Sequence, residues 1–206
     1  MGSSHISHLR QFNRSNPLMI NNCTLIFKDR PGAKITHIAE MLEKAKVRGE
    51  RAPNYVILHI GSNDLGTVSC KEMREKLNRL FKCFRQAVPR AQIIWSDILP
   101  RRFWTEADNQ VSIEKTRKIL NKLIRHDLLT YFGGKAIRHI NIGNIYQNFK
   151  RYDVVHLSQC GYQIFANNIL QGLKLFFADN SAILYPPSTL NQPRTYSIRA
   201  VVSRRL

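Results

Sequence analysis

The run Y-V-I-L-H-I at residues 55–60, followed at once by G-S-N-D at residues 61–64, decides the fold of this 206-residue chain. A continuous apolar and β-branched run of this length, broken only by His59, is typical of a strand that is buried on both faces. A glycine directly after the strand, here Gly61, permits a tight turn. The stretch therefore predicts a strand of a parallel sheet with a turn at its carboxyl end.

The segments on either side of this strand alternate between helical and extended patterns. Apolar residues recur at helical spacing within four stretches, which predicts helices within residues 35–45, 73–84, 113–128 and 164–176. Three other short apolar runs predict strands at residues 23–28, 92–98 and 136–142. Strands that alternate with helices predict an α/β domain with a mostly parallel sheet and helices on both faces. In such sheets ligands bind at the carboxyl ends of the strands.

The pattern ends near residue 182, where prolines and scattered arginines replace the periodic apolar residues. We therefore predict one domain at residues 1–180 and a basic, proline-containing, flexible C-terminal tail at residues 181–206.

The composition excludes some classes of protein. With 43% hydrophobic residues the chain is too apolar to be disordered throughout. There is no run of 18 apolar residues and no secretory signal, so we expect an intracellular protein without a membrane span. The four cysteines do not have the spacing of zinc ligands. No G-x-G-x-x-G motif follows a predicted strand, which argues against a dinucleotide-binding protein.

The net charge is strongly positive, with 32 Lys and Arg against 14 Asp and Glu, a formal charge of +18. Such a surface attracts phosphate polyanions without selecting a sequence, so weak association with nucleic acid is one interpretation. An even spread of charge over solvated helix faces is the other.

Two loops carry the residue types of a catalytic site. Asn63 lies two residues beyond the strand end, where its amide can donate into a cleft, although an ordinary turn has the same composition. Asp153 precedes His156 by three residues, a spacing at which the carboxylate can accept from the imidazole and fix its tautomer. A helix start capped by Asp153 or Ser158 is the alternative.

Together these residues resemble one family, the SGNH or GDSL-like hydrolases. That family has a Gly-Asp-Ser near its N-terminus, a glycine after its second strand, a Gly-x-Asn-Asp after its third and an Asp-x-x-His before its last helix. The similar segments here follow in the same order: Gly2-Ser3-Ser4, Gly32, Gly61-Ser62-Asn63-Asp64 and Asp153-Val154-Val155-His156. The resemblance implies a three-layer α/β/α sandwich with a flavodoxin-like sheet.

The resemblance also implies a function. Ser4 would be the nucleophile, His156 its general base and Asp153 the residue that orients the imidazole, in a serine esterase acting on a small acyl or acetyl ester. The oxyanion hole would consist of the Ser4 and Gly32 backbone N–H groups and the Asn63 side chain. No metal or organic cofactor is implied. Arg101 and Arg102, after a predicted strand end, would favour an anionic substrate or simply be solvated.

Two departures from the family pattern favour a second hypothesis. Ser3 stands where the family has Asp, and the family's first strand, which precedes the Gly-Asp-Ser, has no counterpart before Gly2. We therefore expect an N-terminally truncated sequence or a substitute strand, for which residues 198–202 are the spare β-prone run. The alternative function is a catalytically inactive module of this fold that binds nucleic acid through its basic surface, as would suit the related domains in vertebrate retroelement proteins.

Overall fold

The computed structural model describes residues 1–18, 20, 23–143, 145–150 and 153–187 of the chain. Helices and strands follow one another in this order: α1 (Ser4–Ser15), α2 (Ile35–Val47), β1 (Tyr55–Leu58), α3 (Cys70–Ala87), β2 (Gln92–Ser96), α4 (Gln110–Tyr131), β3 (Lys135–Ile137), α5 (Ile145–Asn148), α6 (Gln159–Ala178) and β4 (Leu184–Tyr185). The alternation predicted from the sequence is thus confirmed for most of the domain, although β3 is shorter than its apolar run suggests.

The four strands form one parallel sheet in the order β1-β2-β3-β4. Residues Tyr55 to Leu58 pair with Gln92 to Trp95, and the register continues through β3 to β4. Strand β4 belongs to the segment 181–206 that the sequence predicts as a tail, and it adds two residues of that segment to the sheet. Residues 188–206, including the proposed substitute strand at 198–202, lie outside the described residues.

The first two residues lie beside β1, in the position where the family pattern places its first strand. Gly2 N donates to Lys28 O at 3.0 Å and Gly2 O accepts from Arg30 N at 3.1 Å, while Met1 O accepts from His59 N at 3.0 Å. The strand predicted at residues 23–28 is not formed, and pairing there is confined to a bridge between Gly2 and Asp29. Met1 and Gly2 therefore provide partners for some backbone groups of β1's end and of residues 28–30.

Helices cover both faces of the sheet and create two hydrophobic cores. On one face α2, α3 and α4 contribute side chains such as Ile38, Phe81 and Ile124, which pack with Trp95 of β2. On the other face α1 and α6 contribute a second cluster: Ile6, Leu9, Phe165, Ile169 and Leu173, packed around Ile94 and Ile137. Strand β2 therefore presents apolar side chains to both layers, which confirms the three-layer α/β/α sandwich.

Side-chain caps fix the starts of three long helices. Ser69 accepts from the backbone N–H of Glu72 at the start of α3, and Asn109 and Ser158 cap α4 and α6 in the same way. Such caps satisfy N–H groups that have no partner within the helix. Because Ser158 fixes the start of α6, it also fixes the end of the loop that carries Asp153 and His156.

Candidate active site

The turn after β1 forms one wall of the candidate site. Gly61 has a φ of +103°, a conformation that favours glycine, and a Cβ there would lie 3.2 Å from Ile98 Cδ1. The following residues wind back, with Asp64 N and Leu65 N both donating to Gly61 O. The carboxylate of Asp64 is buried and accepts from Ile35 N at 3.0 Å, which holds the turn against the start of α2.

Asp153 and His156 form a hydrogen-bonded pair in the loop before α6. His156 Nδ1 lies 2.6 Å from Asp153 Oδ2, while Asp153 Oδ1 accepts from the backbone N–H groups of Val155 and His156 at 2.9 and 3.0 Å. Burial acts to raise the pKa of Asp153, but these hydrogen bonds outweigh it and hold the pKa well below its usual value. The carboxylate is thus ionised, so His156 Nδ1 must be the donor.

The other ring nitrogen of His156 is positioned to accept a proton. His156 Nε2 is buried and has no hydrogen-bond partner within the described part of the chain. With the proton on Nδ1, the lone pair of Nε2 is free. A buried acceptor without a partner is uncommon in a stable fold and is typical of a site that meets its partner in a complex.

The first turns of α1 face this imidazole. The ring centroid of His156 lies 5.6 Å from that of His5 and 4.5 Å from that of His8. Ser4, the predicted nucleophile, is the first residue of the same helix and is half-buried. No hydrogen bond joins it to His156 Nε2 in this structure, so the pairing of these two groups stays a prediction.

Asn63, predicted for the oxyanion hole, contacts the residue that follows Gly32, the other predicted loop residue. Asn63 Nδ2 donates to the carbonyl of Ala33, the residue after Gly32, at 3.0 Å. Asn63 Oδ1 accepts from Arg101 Nη2 at 2.6 Å, which fixes the orientation of the amide. The amide nitrogen carries two protons, and the Ala33 carbonyl uses one of them. The second remains available to an oxygen atom of a substrate.

A chain of buried polar side chains extends from the site through the sheet. Asn168 Nδ2 donates to His139 Nδ1 at 3.2 Å, His139 Nε2 and Ser96 Oγ lie 2.8 Å apart, and Ser96 Oγ lies 3.0 Å from His59 Nδ1. Because Nδ1 of His139 accepts, its Nε2 donates to Ser96, which in turn donates to His59. Burial lowers the pKa of His59 to about 3, so the chain is neutral. His59 is therefore a hydrogen-bonded core residue.

Three aromatic residues of the site were not singled out by the sequence analysis. His5 is buried, contacts the hydroxyl of Tyr162 at 3.2 Å, and has a pKa held well below its ordinary value by burial. His8 packs between the rings of His156 and Tyr162. The sequence contains one signal for these histidines: His8 lies four residues after Ser4 and three after His5. Residues at these spacings share a face of a helix.

The described residues offer neither a metal site nor a membrane-spanning helix. No group of three His, Cys, Asp or Glu side chains within the described residues is arranged to hold a metal ion. Among the described helices, none is both long and apolar enough to cross a membrane.

Comparison with known proteins gives a family match over most of the domain. The sequence profile of GDSL-like lipases and acylhydrolases matches residues 9–169. The chain belongs to this family of ester hydrolases. The matched region contains Gly32, Asn63, Asp153 and His156, and it begins after Ser4. A comparison with curated protein sequences gives no match.

Solved structures share the fold of this GDSL-like hydrolase. A member of the lipolytic G-D-S-L family from Veillonella parvula is 16% identical with a TM-score of 0.65, covering 84% of this chain and 95% of its own. A GDSL-like lipase from Bacteroides thetaiotaomicron is 15% identical with a TM-score of 0.66, covering 84% and 85%. A family 3 carbohydrate esterase from Clostridium thermocellum is 17% identical with a TM-score of 0.61, covering 86% and 95%.

Proposed function

We propose that this GDSL-like hydrolase is a serine esterase that cleaves a small acyl or acetyl ester through an acyl-serine intermediate. The observation that carries the proposal is the state of His156. Its Nδ1 is held by the Asp153 carboxylate, and its buried Nε2 has no partner among the described residues. This is the arrangement that a general base requires, and it faces the helix that begins at Ser4.

In the proposed reaction, Ser4 Oγ attacks the ester carbonyl carbon and its proton passes to His156 Nε2. The carbonyl oxygen becomes an oxyanion, which accepts from the Ser4 and Gly32 backbone N–H groups and from Asn63 Nδ2. The tetrahedral species collapses, the C–O bond to the alcohol breaks, and the alcohol leaves with the proton from Nε2. Water then attacks the acyl-serine in the same way, which releases the acid and restores Ser4.

Two serine variants test this proposal. Ser4→Ala removes the proposed nucleophile, and we expect hydrolysis of 4-nitrophenyl acetate to fall to the background rate. Ser3→Ala is the matched control, because its buried Oγ lies one residue away and makes no hydrogen bond within the described residues. We expect the control to retain activity. Equal activity of Ser4→Ala and the wild type would exclude Ser4 as the nucleophile.

One observation favours a second function, association with nucleic acid. Helix α3 carries six Lys and Arg and α4 carries five, whereas each carries two acidic residues. The helices lie side by side, joined by the hydrogen bonds of Arg74 and Asn78 to Asp127. Six exposed cations on this face make no salt bridge within the described residues: Lys71, Arg79, Lys82, Lys115, Lys118 and Lys122.

Binding measurements with paired variants test the second function. We expect a fluorescent single-stranded RNA to bind with an affinity that falls steeply with salt, with a log–log slope of about −4 if six phosphates are contacted. Lys118→Gln/Lys122→Gln should weaken binding and reduce the slope. Arg14→Gln/Lys174→Gln removes the same charge from α1 and α6 and should change less. Equal effects of the two pairs would contradict a binding face on α3 and α4.

The two functions are separable by experiment. Salt-dependent RNA binding by a protein that hydrolyses no ester would favour the inactive binding module. Hydrolysis that depends on Ser4, without RNA binding, would favour the esterase alone.

A further inference from the structure

A cavity of about 300 Å³ opens beside the proposed oxyanion hole. It lies between the turn at residues 61–64 and the segment after β2, and its lining includes Lys34, Asn63, Arg101, Trp104 and Glu106. A volume of this size suits a small ligand. Because Asn63 is in its wall, whatever occupies the cavity would lie next to the carbonyl group of a bound ester.

The guanidinium of Arg101 lines this cavity and has no carboxylate partner within the described part of the chain. Its Nη2 donates to Asn63 Oδ1 and, at 3.2 Å, to Ser62 Oγ, and its carbon lies 4.9 Å from the centre of the Trp104 ring. Its Nε is buried and has no acceptor within the described residues. Burial lowers the pKa of Arg101 to about 10, so the group remains charged at neutral pH.

Among the other partly buried arginines of the described residues, Arg85 and Arg138 donate to backbone carbonyl oxygens, whereas the rest pair with carboxylates. Arg117 pairs with Glu114, and Arg125 pairs with Asp97, each through a short contact with a carboxylate oxygen. A buried charge is costly when no opposite charge compensates it. Arg101 differs from both groups, because its acceptors within the described residues are the neutral side chains of Asn63 and Ser62, and all three residues line a cavity.

The other charges around the cavity leave it positive. Lys34 lines it from the start of α2, and the carboxylate in the lining belongs to Glu106, which is exposed. Within the described residues, Glu106 makes no ion pair with either Lys34 or Arg101. Two cations and one solvated carboxylate thus line the space.

We propose that this cavity is a subsite for an anionic group of the substrate, a carboxylate or a phosphate, held by Arg101 with Lys34. The inference rests on the proposed esterase function and narrows its substrates to esters that carry a negative charge close to the ester bond. The planar guanidinium suits such an oxyanion, because its N–H groups can form charge-assisted hydrogen bonds. The Trp104 ring keeps the guanidinium in place from the opposite side.

Paired esters of similar size, one charged and one neutral, test the subsite. In one pair the charge is on the acyl part: mono-4-nitrophenyl succinate is compared with 4-nitrophenyl butyrate. In the other pair it is on the alcohol part: 4-acetoxybenzoate is compared with its methyl ester. We expect kcat/KM to favour the charged ester by roughly tenfold in at least one pair, in keeping with a charge-assisted hydrogen bond. The pair that shows the preference identifies the side of the ester bond that enters the cavity.

Variants test whether the preference for the charged ester arises from the cavity. Arg101→Gln should reduce the ratio of charged to neutral kcat/KM to about one, even if it also slows both esters by releasing Asn63. Lys34→Gln removes the second cation of the subsite and should also reduce the ratio. Arg79→Gln, exposed on α3, removes one charge elsewhere and should leave the ratio unchanged. Equal rates for charged and neutral esters in the wild type, in both pairs, would overturn the subsite and leave the esterase proposal intact.

Calorimetry separates failure of the subsite from failure of the esterase. Ser4→Ala protein is titrated with mono-4-nitrophenyl succinate and with 4-acetoxybenzoate, and the titrations are repeated with Ser4→Ala/Arg101→Gln protein. Arg101-dependent binding without any hydrolysis by the wild type would support the subsite and contradict the esterase. Absence of binding in every titration would overturn the subsite.

Discussion

Arg101 Nη2 donates to Asn63 Oδ1 across 2.6 Å, and this contact determines which end of the Asn63 amide faces the site. An amide held by its oxygen must present its N–H groups on the other side. One N–H reaches the Ala33 carbonyl at 3.0 Å, and the second is left for the substrate. A cation bound to the amide oxygen also polarises the group and strengthens its N–H as a donor.

Asn63→Ala should therefore lower kcat strongly and change KM little. The Asn63 donor acts on the charge that develops in the transition state, and removal of one such donor typically lowers the rate by about 10²–10³. The measurement is steady-state hydrolysis of 4-nitrophenyl acetate, with circular dichroism to show that the variant is folded. A loss of less than about threefold would remove Asn63 from the oxyanion hole.

Asp153→Asn should lower kcat by roughly 10²–10⁴ with the fold preserved. An asparagine side chain can donate to His156 Nδ1, which would move the ring proton to Nε2 and remove the lone pair that accepts from Ser4. Asp153→Glu keeps the carboxylate and should be less impaired. Equal activity of the asparagine variant and the wild type would show that the 2.6 Å contact between Asp153 and His156 has no catalytic role.

The buried His59 predicts a stability that falls with acid. Its pKa is about 3 in the folded protein against an ordinary value of 6.5, so the unfolded chain binds its proton first as the pH falls. The stabilisation is fully present above pH 6.5 and is lost progressively down to about pH 3. At pH 5 the loss is about 2 kcal/mol.

Urea unfolding at pH 7.5 and pH 5 measures this effect. Asp97 works in the opposite direction, because burial raises its pKa to about 6, so the comparison is made between the wild type and His59→Gln. The variant should lose about 2 kcal/mol less than the wild type between the two pH values. Lys174→Gln, an exposed substitution on α6 that removes no histidine, is the control and should follow the wild type. Identical pH dependence of all three proteins would contradict the buried neutral state of His59.

Gly161→Ala should destabilise the protein and disturb the site. A Cβ at this position would lie 2.1 Å from the backbone oxygen of Asn148 and 3.0 Å from Leu157 Cβ, so α5 or the loop of His156 would have to move. Overpacking of this kind typically costs about 1–3 kcal/mol. Gly143→Ala is the matched control, because a Cβ there meets no atom within 4 Å. Equal melting temperatures of the two variants would contradict the close approach at Gly161.

Local sequence patterns predicted most of the fold. The periodicity of Met73, Leu77, Phe81 and Phe84 reproduces the buried face of α3, and the run at residues 55–60 contains β1. Such patterns are visible because the buried apolar side chains of a helix or a strand recur with the period of that element. The apolar run at residues 23–28 was misleading, since apolar composition alone does not provide a pairing partner.

Local sequence patterns do not predict most of the contacts within the site. The Asp153–His156 pair was predictable because its members lie three residues apart. The contact between Arg101 and Asn63 joins residues 38 apart, and that between His5 and Tyr162 joins residues 157 apart. Neither contact leaves a period in the sequence, because both depend on how strands and helices meet at the carboxyl edge of the sheet.

The identity of the nucleophile is tested most directly by active-site labelling. The wild-type protein is treated with a fluorophosphonate, digested and analysed by mass spectrometry, with Ser4→Ala protein treated in parallel. The account predicts a single phosphonylated residue, Ser4, and no labelling of the variant. A label on another residue, or hydrolysis of 4-nitrophenyl acetate that persists with Ser4 unmodified, would contradict it.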